Sequence, residues 1–291
     1  MIGGVRMNDS VDSRLSELRD FLNKRSKDDD WVNDALKEGT VQENYCPYCD
    51  GYGWIFSMEG GYEVNKRCQC MIDTINRNRL NFADIPERYK GVTLSSLRVD
   101  YYSSPGEREV ASKAFKALRM YLSEFDKFAA TGSGLYLWSQ TRGTGKTLSV
   151  AALANELIQK RHKVKFATSP QILTEIKRTY EQDDNSTGKM TESRLLDALV
   201  DVEILIIDDF GTEDVTKWAN NKFYEIINKR YTSKKVTIFT SNDSVDNLQY
   251  DSRILNRVKE QCFSIEYPSE SVRDLIGDYK QMQFERMLMS V

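Results

Sequence analysis

Three short clusters in this 291-residue chain have residue types and spacings that can do chemistry. The first is Gly143-Thr144-Gly145-Lys146-Thr147, inside "WSQTRGTGKTLSV". Two glycines let the backbone approach a bound group closely, and successive N–H groups there can converge on phosphate oxygens. Lys146 would reach the β- and γ-phosphates of a nucleotide, and Thr147 would offer its hydroxyl to Mg2+. Where a P-loop has its first glycine, five residues before Gly145, this chain has Gln140. That position shapes the start of the loop, so the expected effect is on nucleotide affinity rather than on the transferred phosphate. The second cluster is "EILIIDDFGTE", in which Ile204 to Ile207 lead into Asp208 and Asp209, 62 residues after Lys146. An apolar strand ending in two acids places them where open α/β sheets bind ligands. Asp208 would hold Mg2+ through water, and Asp209 would orient or deprotonate the attacking water. A lone Asp-Asp pair is often just a strand end; the two clusters together read as an ATP site.

The third cluster is Cys46-x2-Cys49 followed, after 18 intervening residues, by Cys68-x-Cys70. Four thiolates suit tetrahedral Zn2+ and leave no open position, so the ion would be structural. Pro47, Gly51 and Gly53 suit tight turns, and Trp54, Ile55 and Phe56 can pack beneath. The other reading is four buried or free cysteines. Cys262 stands apart, at the start of an apolar strand, and reads as a small buried hydrophobe.

These clusters need elements to hold them. From about residue 106 short apolar runs alternate with amphipathic stretches: helix "EREVASKAFKALRMYLSEF", strand "GLYLWS", helix "KTLSVAALANELIQKR", strand "KVKFAT", helix "PQILTEIKRTY". After a polar loop around "DDNSTGK" follow helix "SRLLDALV", strand "EILIID", helix "WANNKFYEIINKRY", strand "VTIFTSN", helix "ILNRVKEQ", strand "CFSIEY" and a last helix, "VRDLIGDYKQMQFERMLM". This alternation implies an α/β fold with a parallel sheet between helices. Upstream, Val11, Leu15, Leu18 and Leu22 share one helical face. A second short helix is expected from Asp30, and a further one after Met71. The expected organisation is a helical segment over 1–45, a four-cysteine zinc module over 46–72, a connector over 73–105 and an ATPase domain over 106–291.

Composition narrows the classes. Hydrophobic residues make up 40% and charged residues 29%, as in an ordinary globular chain. No apolar run approaches the ~20 residues that span a bilayer, and the N-terminus lacks a signal-peptide core, so a cytoplasmic protein without a membrane partner is expected. Met7 is an alternative start to Met1. Net charge is −3, with 7 Lys/Arg and 10 Asp/Glu in residues 1–45 and 34 of each thereafter. A duplex-DNA binder working through one basic face is usually more basic. Lys113, Lys116 and Arg119 share a helical face that also suits plain solvation, and the single histidine, His162, is expected to be exposed.

"GTGKT" and "ILIIDDFGTE" resemble the Walker A tail and Walker B strand of the helicase-loader branch of the AAA+ ATPases, the DnaC/DnaI-like and IstB-like group, where Asp-Asp stands for the usual Asp-Glu. "KFYEIINKRYTSKKVTIFTSN" resembles that branch's next helix and strand, with the sensor 1 residue at Asn242. "SRILNRV" is similar to its arginine-finger helix, with Arg257 at the finger position and Arg253 one turn earlier. "ESVRD" is similar to its sensor 2 segment, with Arg273. The resemblance covers roughly residues 75–275, and the cysteine module before it resembles the zinc-binding N-terminal region of Gram-positive and phage loaders. It implies an AAA+ P-loop NTPase using ATP, Mg2+ and Zn2+ that self-associates through its ATPase domain. Such a protein grips a replicative helicase (a DnaB-like hexamer) and delivers it to single-stranded DNA. A finger acting on a neighbour's γ-phosphate implies weak hydrolysis by isolated copies, stimulated by assembly or DNA. On the residues alone, Asn242 also suits a turn, Arg253 and Arg257 suit surface ion pairs, and Arg273 suits a solvated charge. Two other functions remain open at this point: an ATPase subunit of a transposition system, acting on duplex DNA, and an ATP-switched binding module with little turnover.

Overall fold

The computed structural model describes residues 46, 48–49, 54–59, 62–68, 70, 83–181 and 191–289. The two N-terminal helices, nearly all of the helix expected after Met71, and the polar loop around 183–189 lie outside these residues. The chain divides into two compact units, residues 1–75 with 278–291 and residues 76–277.

In the first unit β1 (Trp54–Glu59) and β2 (Tyr62–Arg67) pair antiparallel, in register from Trp54 opposite Arg67 to Glu59 opposite Tyr62. That register sets the residues preceding β1 beside those following β2, so the hairpin brings the two cysteine pairs together.

In the second unit β3 (Gly134–Trp138), β4 (Val164–Thr168), β5 (Ile204–Asp208), β6 (Val236–Ser241) and β7 (Cys262–Glu266) form one parallel sheet in the order β4-β5-β6-β3-β7. This is the expected α/β architecture. Helices α1 (Pro105–Ser123) and α3 (Lys146–Gln159) pack on one face, with α2 (Phe125–Thr131) beside them. Helices α4 (Ser169–Glu181), α5 (Glu192–Asp201), α6 (Lys217–Thr232) and α7 (Ser252–Gln261) cover the other. A last helix, α8 (Val272–Met289), is divided between the units after Gly277.

Strand residues alternate between the faces, as a period of two requires. Leu135, Leu137, Ile204, Ile206 and Ile238 join the core under α1 and α3, whereas Tyr136, Leu205, Ile207 and Phe239 join the core under α5, α6 and α7. Burial on both faces explains the unbroken apolar run Ile204 to Ile207 in β5.

Four details depart from the expected pattern. The first long helix stops at Ser123, and a new one starts at Phe125, after Glu124 leaves helical geometry at φ −106°, ψ 18°. Residues 83–105 pack into the second unit's core through Ile85, Leu94, Leu97 and Tyr102. β7 is an edge strand with Phe263 and Ser264 exposed, because no strand pairs beyond it among the described residues. Cys262, at its start, is half-buried against the second core. His162 is not exposed: the left-handed turn at Arg161 (φ 77°) folds it back, with Nδ1 2.6 Å from Glu203 Oε1 and its ring edge-on to Phe125. Among the described residues no helix is long and apolar enough to cross a membrane.

Candidate functional site

The glycine-rich loop joins β3 to α3 and lies at the carboxyl edge of the sheet. Gly143 and Gly145 have φ of 76° and 96°, the left-handed region that glycine adopts freely. A Cβ on Gly143 would stand 2.6 Å from Ser271 Oγ and 2.9 Å from Arg273 Cβ, so a side chain is excluded by contact as well as by backbone. Gln140 is exposed and outside the left-handed region, so its backbone asks for no glycine. The loop is braced from both sides. The Tyr102 hydroxyl donates to the Thr144 carbonyl at 2.7 Å, and the Arg273 N–H donates to the Gly143 carbonyl at 3.2 Å.

Lys146 is buried and turns back along the loop, where Nζ donates to the carbonyls of Thr141 at 3.0 Å and Ser139 at 3.2 Å. Burial pulls its pKa down to about 8, Asp209 and Asp208 oppose that shift, and Arg273 adds to it. Two cations therefore converge on the loop, an arrangement that suits a polyphosphate.

Thr147 and Asp208 meet as expected, the hydroxyl donating to Oδ1 at 3.0 Å. Asp208 is buried, and desolvation raises its pKa to about 6 despite hydrogen bonds from Thr240 and Thr147. A buried carboxylate beside a hydroxyl, with a phosphate cradle next to it, is a donor set of hard oxygens that fits Mg2+. Asp209 follows in the left-handed region, at φ 55°, a conformation that costs a non-glycine residue about 1–2 kcal/mol.

Thr240 was not singled out in the sequence. Its Oγ1 donates to Asp208 Oδ1 at 2.5 Å and accepts the Asp209 N–H at 2.9 Å, so one hydroxyl aligns both acids. The signal was available in period two: Thr240 shares the strand face of Asn242, the residue named instead. Asn242 sits just past β6, next to Ser241, whose carbonyl accepts the Ser139 N–H at the start of the loop. Its own side chain makes no hydrogen bond among the described residues.

Arg257 is not brought to this edge of its own chain. Nε donates to Asn228 Oδ1 at 2.8 Å, Nη1 to the Arg253 carbonyl at 2.8 Å, and the guanidinium lies over Tyr224 and Tyr231. No carboxylate pairs with it among the described residues. Arg253 instead forms a two-pronged pair with Asp251, at 2.9 and 3.0 Å.

In the first unit the four cysteine sulfurs lie within 4.8 Å of one another, with Cys46–Cys68 at 3.7 Å and Cys49–Cys70 at 3.4 Å. A tetrahedron with Zn–S bonds of about 2.3 Å has edges of roughly 3.8 Å, so the set fits zinc with little adjustment. A turn closed by Cys49 N–H to the Cys46 carbonyl, at 3.2 Å, aims the first pair inward. Purified full-length protein is expected to carry stoichiometric zinc by metal analysis, and to lose the hairpin's protease resistance on chelation. A well-folded, metal-free sample would contradict this.

The geometry thus holds a phosphate cradle, a lysine and a metal-competent acid at one sheet edge. Comparison with known proteins agrees. "Replicative helicase loader DnaC" of Escherichia coli (strain K12) is 27% identical over 199 residues, covering 68% of this chain and 73% of that protein. "Replicative helicase loader DnaI" of Bacillus subtilis (strain 168) is 29% identical over 137 residues, 47% of this chain and 41% of that protein. The crystal structure of DnaI matches with a TM-score of 0.50 at 25% identity, covering 65% of this chain and 95% of that one. A family model, IstB-like ATP binding protein, matches residues 127–275, just over half of the 291 residues. With the P-loop, the acid-tipped β5 and the five-stranded parallel sheet all in place, the chain belongs to the IstB-like ATP binding proteins, an AAA+ ATPase family.

Proposed function

We propose that this protein is an ATP-dependent helicase loader, which binds a hexameric replicative helicase and delivers it to single-stranded DNA at the start of replication. The observation that carries the reading is the likeness to two proteins named replicative helicase loaders, in a chain that brings a glycine-rich loop, Lys146 and Asp208 to one sheet edge. In this reading Gly143 to Thr147 cradle the phosphates, and Lys146 turns from its loop carbonyls to the polyphosphate. Thr147 and Asp208 would hold Mg2+, which would supply positive charge to offset that of the terminal phosphates. Asp209, steadied by Thr240, orients the attacking water, with Asn242 flanking it, and Arg273 approaches the phosphates within the same chain.

Turnover is slow in isolated copies. Asp209 is one methylene shorter than the usual glutamate, and Arg257 is held by Asn228, Tyr224 and Tyr231 rather than at its own chain's loop. A guanidinium held by Asn228 and Tyr224, with no carboxylate partner among the described residues, is suited to the γ-phosphate on a neighbouring copy. Residues 1–45 and the four-cysteine module over 46–72 grip the helicase, and the ATPase unit over 76–277, whose core includes Ile85, Leu94, Leu97 and Tyr102 of the expected connector, contacts DNA, all in the cytoplasm.

The test is affinity capture of a purified hexameric replicative helicase by the full chain, with and without ATP, followed by ATPase assays with single-stranded and duplex DNA. Stable capture and stimulation by single strands are expected. No capture under any nucleotide condition, with stimulation by duplex alone, would overturn the reading in favour of a transposition ATPase.

A further inference from the structure

Beyond β5 lies a third acid, Glu213, to which the roles above assign nothing. β4 and β5 pair so that Thr168 stands opposite Asp208. Ser169 therefore follows alongside Asp209, and its fully buried hydroxyl meets two acceptors. One is the Asp209 carbonyl, at 3.0 Å; the other is Glu213 Oε2. A serine hydroxyl has one hydrogen, so it cannot satisfy both as donor. Glu213 Oε1 is buried and has no hydrogen-bond partner, a poor setting for an ionised carboxylate.

We infer that Glu213 is a neutral carboxylic acid that donates to Ser169, so that Ser169 donates to the Asp209 carbonyl, making Glu213 and Ser169 positioning residues for ATP hydrolysis. The inference rests on Asp209 being the residue that orients water. Protonating Glu213 supplies the missing hydrogen and removes the buried charge in one step. Burial also raises the Glu213 pKa, although hydrogen bonds from Ser169 and nearby backbone oppose it. An ionised Glu213 would hold the hydroxyl for itself, because a charged acceptor outcompetes a carbonyl. Asp209 would then keep its left-handed peptide through Thr240 and Thr212 alone, which contribute the N–H acceptor at 2.9 Å and donors at 2.8 and 3.2 Å.

Glu213→Gln carries an amide that donates as the neutral acid does, whereas Glu213→Ala and Ser169→Ala remove the chain of hydrogen bonds. In the full chain, Ala at either position is expected to lower kcat about tenfold or more, since a small misplacement of a catalytic group has effects of that size. KM and nucleotide affinity should stay within about twofold, because the phosphate cradle is untouched, and Glu213→Gln should retain wild-type turnover. Glu213→Ala matching wild type, or Glu213→Gln falling as far as Ala, overturns the inference. Infrared spectroscopy decides independently of activity: the carbonyl band of a protonated carboxylic acid should be present in wild type at neutral pH and missing in Glu213→Gln. Its absence from wild type also overturns the inference. Asp209→Asn separates the two levels, since unchanged kcat there refutes the role of Asp209 whatever the infrared result for Glu213.

Discussion

Replacing Lys146 with alanine is expected to weaken ATP binding by about 30-fold to several thousandfold, the range that about 2–5 kcal/mol spans for a buried charge pair losing one partner. The chain should remain folded. Among the described residues Lys146 Nζ hydrogen-bonds the carbonyls of Ser139 and Thr141, and the loss of those two bonds is offset in part by removing a desolvated cation. A pH signature accompanies the loss. Burial holds the lysine's pKa near about 8, so its charge is present below that pH and is lost as pH rises through it. Polyphosphate favours the charged form. ATP binding should therefore take up protons above about pH 8 and weaken as pH rises, and Lys146→Ala should show neither effect. Calorimetry in two buffers of different ionisation enthalpy reads the proton uptake directly. A variant that binds ATP as wild type does would refute the site.

The sheet and the loop were legible because their signals are local. Five apolar runs alternating with amphipathic stretches dictate a parallel sheet, and a glycine pattern opening a helix can be read without any tertiary contact. The pairing of Thr147 with Asp208 followed from the loop after β3 and the end of β5 lying at the same edge of the sheet. What escaped was set by chain segments far apart in sequence. Thr240 aligns both acids only because β6 lies beside β5, and nothing in "VTIFTSN" marks that hydroxyl above Asn242. Tyr102 reaches the loop across 42 positions, and Glu213 matters only through Ser169, 44 positions earlier. β7 reads as a buried strand because its composition is apolar, yet edge position leaves Phe263 about half exposed. His162 reads as exposed in "QKRHKV" because its neighbours are charged, whereas the turn at Arg161 places it between Glu203 and Phe125. Gln140, a conspicuous irregularity in the sequence, sits where the backbone makes no special demand.

Arg230 is the strongest case of that kind, and its replacement by methionine, which strands several buried carbonyls at about 1–3 kcal/mol each, should cost the fold about 3–5 kcal/mol, a large share of the roughly 5–15 kcal/mol typical of a domain. In sequence it is one of several bases in "NKRYTSKK". In the structure it is fully buried, with no carboxylate partner among the described residues. Nη1 donates to the carbonyls of Leu199, Val200 and Val202 at 2.8, 3.0 and 2.8 Å. Nη2 donates to the Val236 carbonyl at 2.5 Å, and Nε donates to Thr237 Oγ1 at 3.0 Å. Leu199 and Val200 lie in the last turn of α5, where backbone carbonyls lack intrahelical partners and the helix dipole is negative. A guanidinium from α6 therefore caps α5. Burial lowers its pKa to about 9, which leaves it charged at neutral pH, so the cap persists there. Methionine fills much of the volume but satisfies none of the carbonyls, and each stranded one costs about 1–3 kcal/mol. Lysine should recover part of the loss, since a compact ammonium cannot span the same fan of acceptors. Urea unfolding monitored by circular dichroism measures both variants, and a methionine variant within about 1 kcal/mol of wild type would contradict the argument, being no larger than an ordinary point substitution. The consequence reaches the active edge. The same guanidinium ties the turn before β5 to the start of β6, and these strands carry Asp208 and Thr240 at their far ends. Arg230→Lys is accordingly expected to lower turnover under conditions where it is still fully folded, because the two strands that present the acid and its hydroxyl partner lose their common anchor.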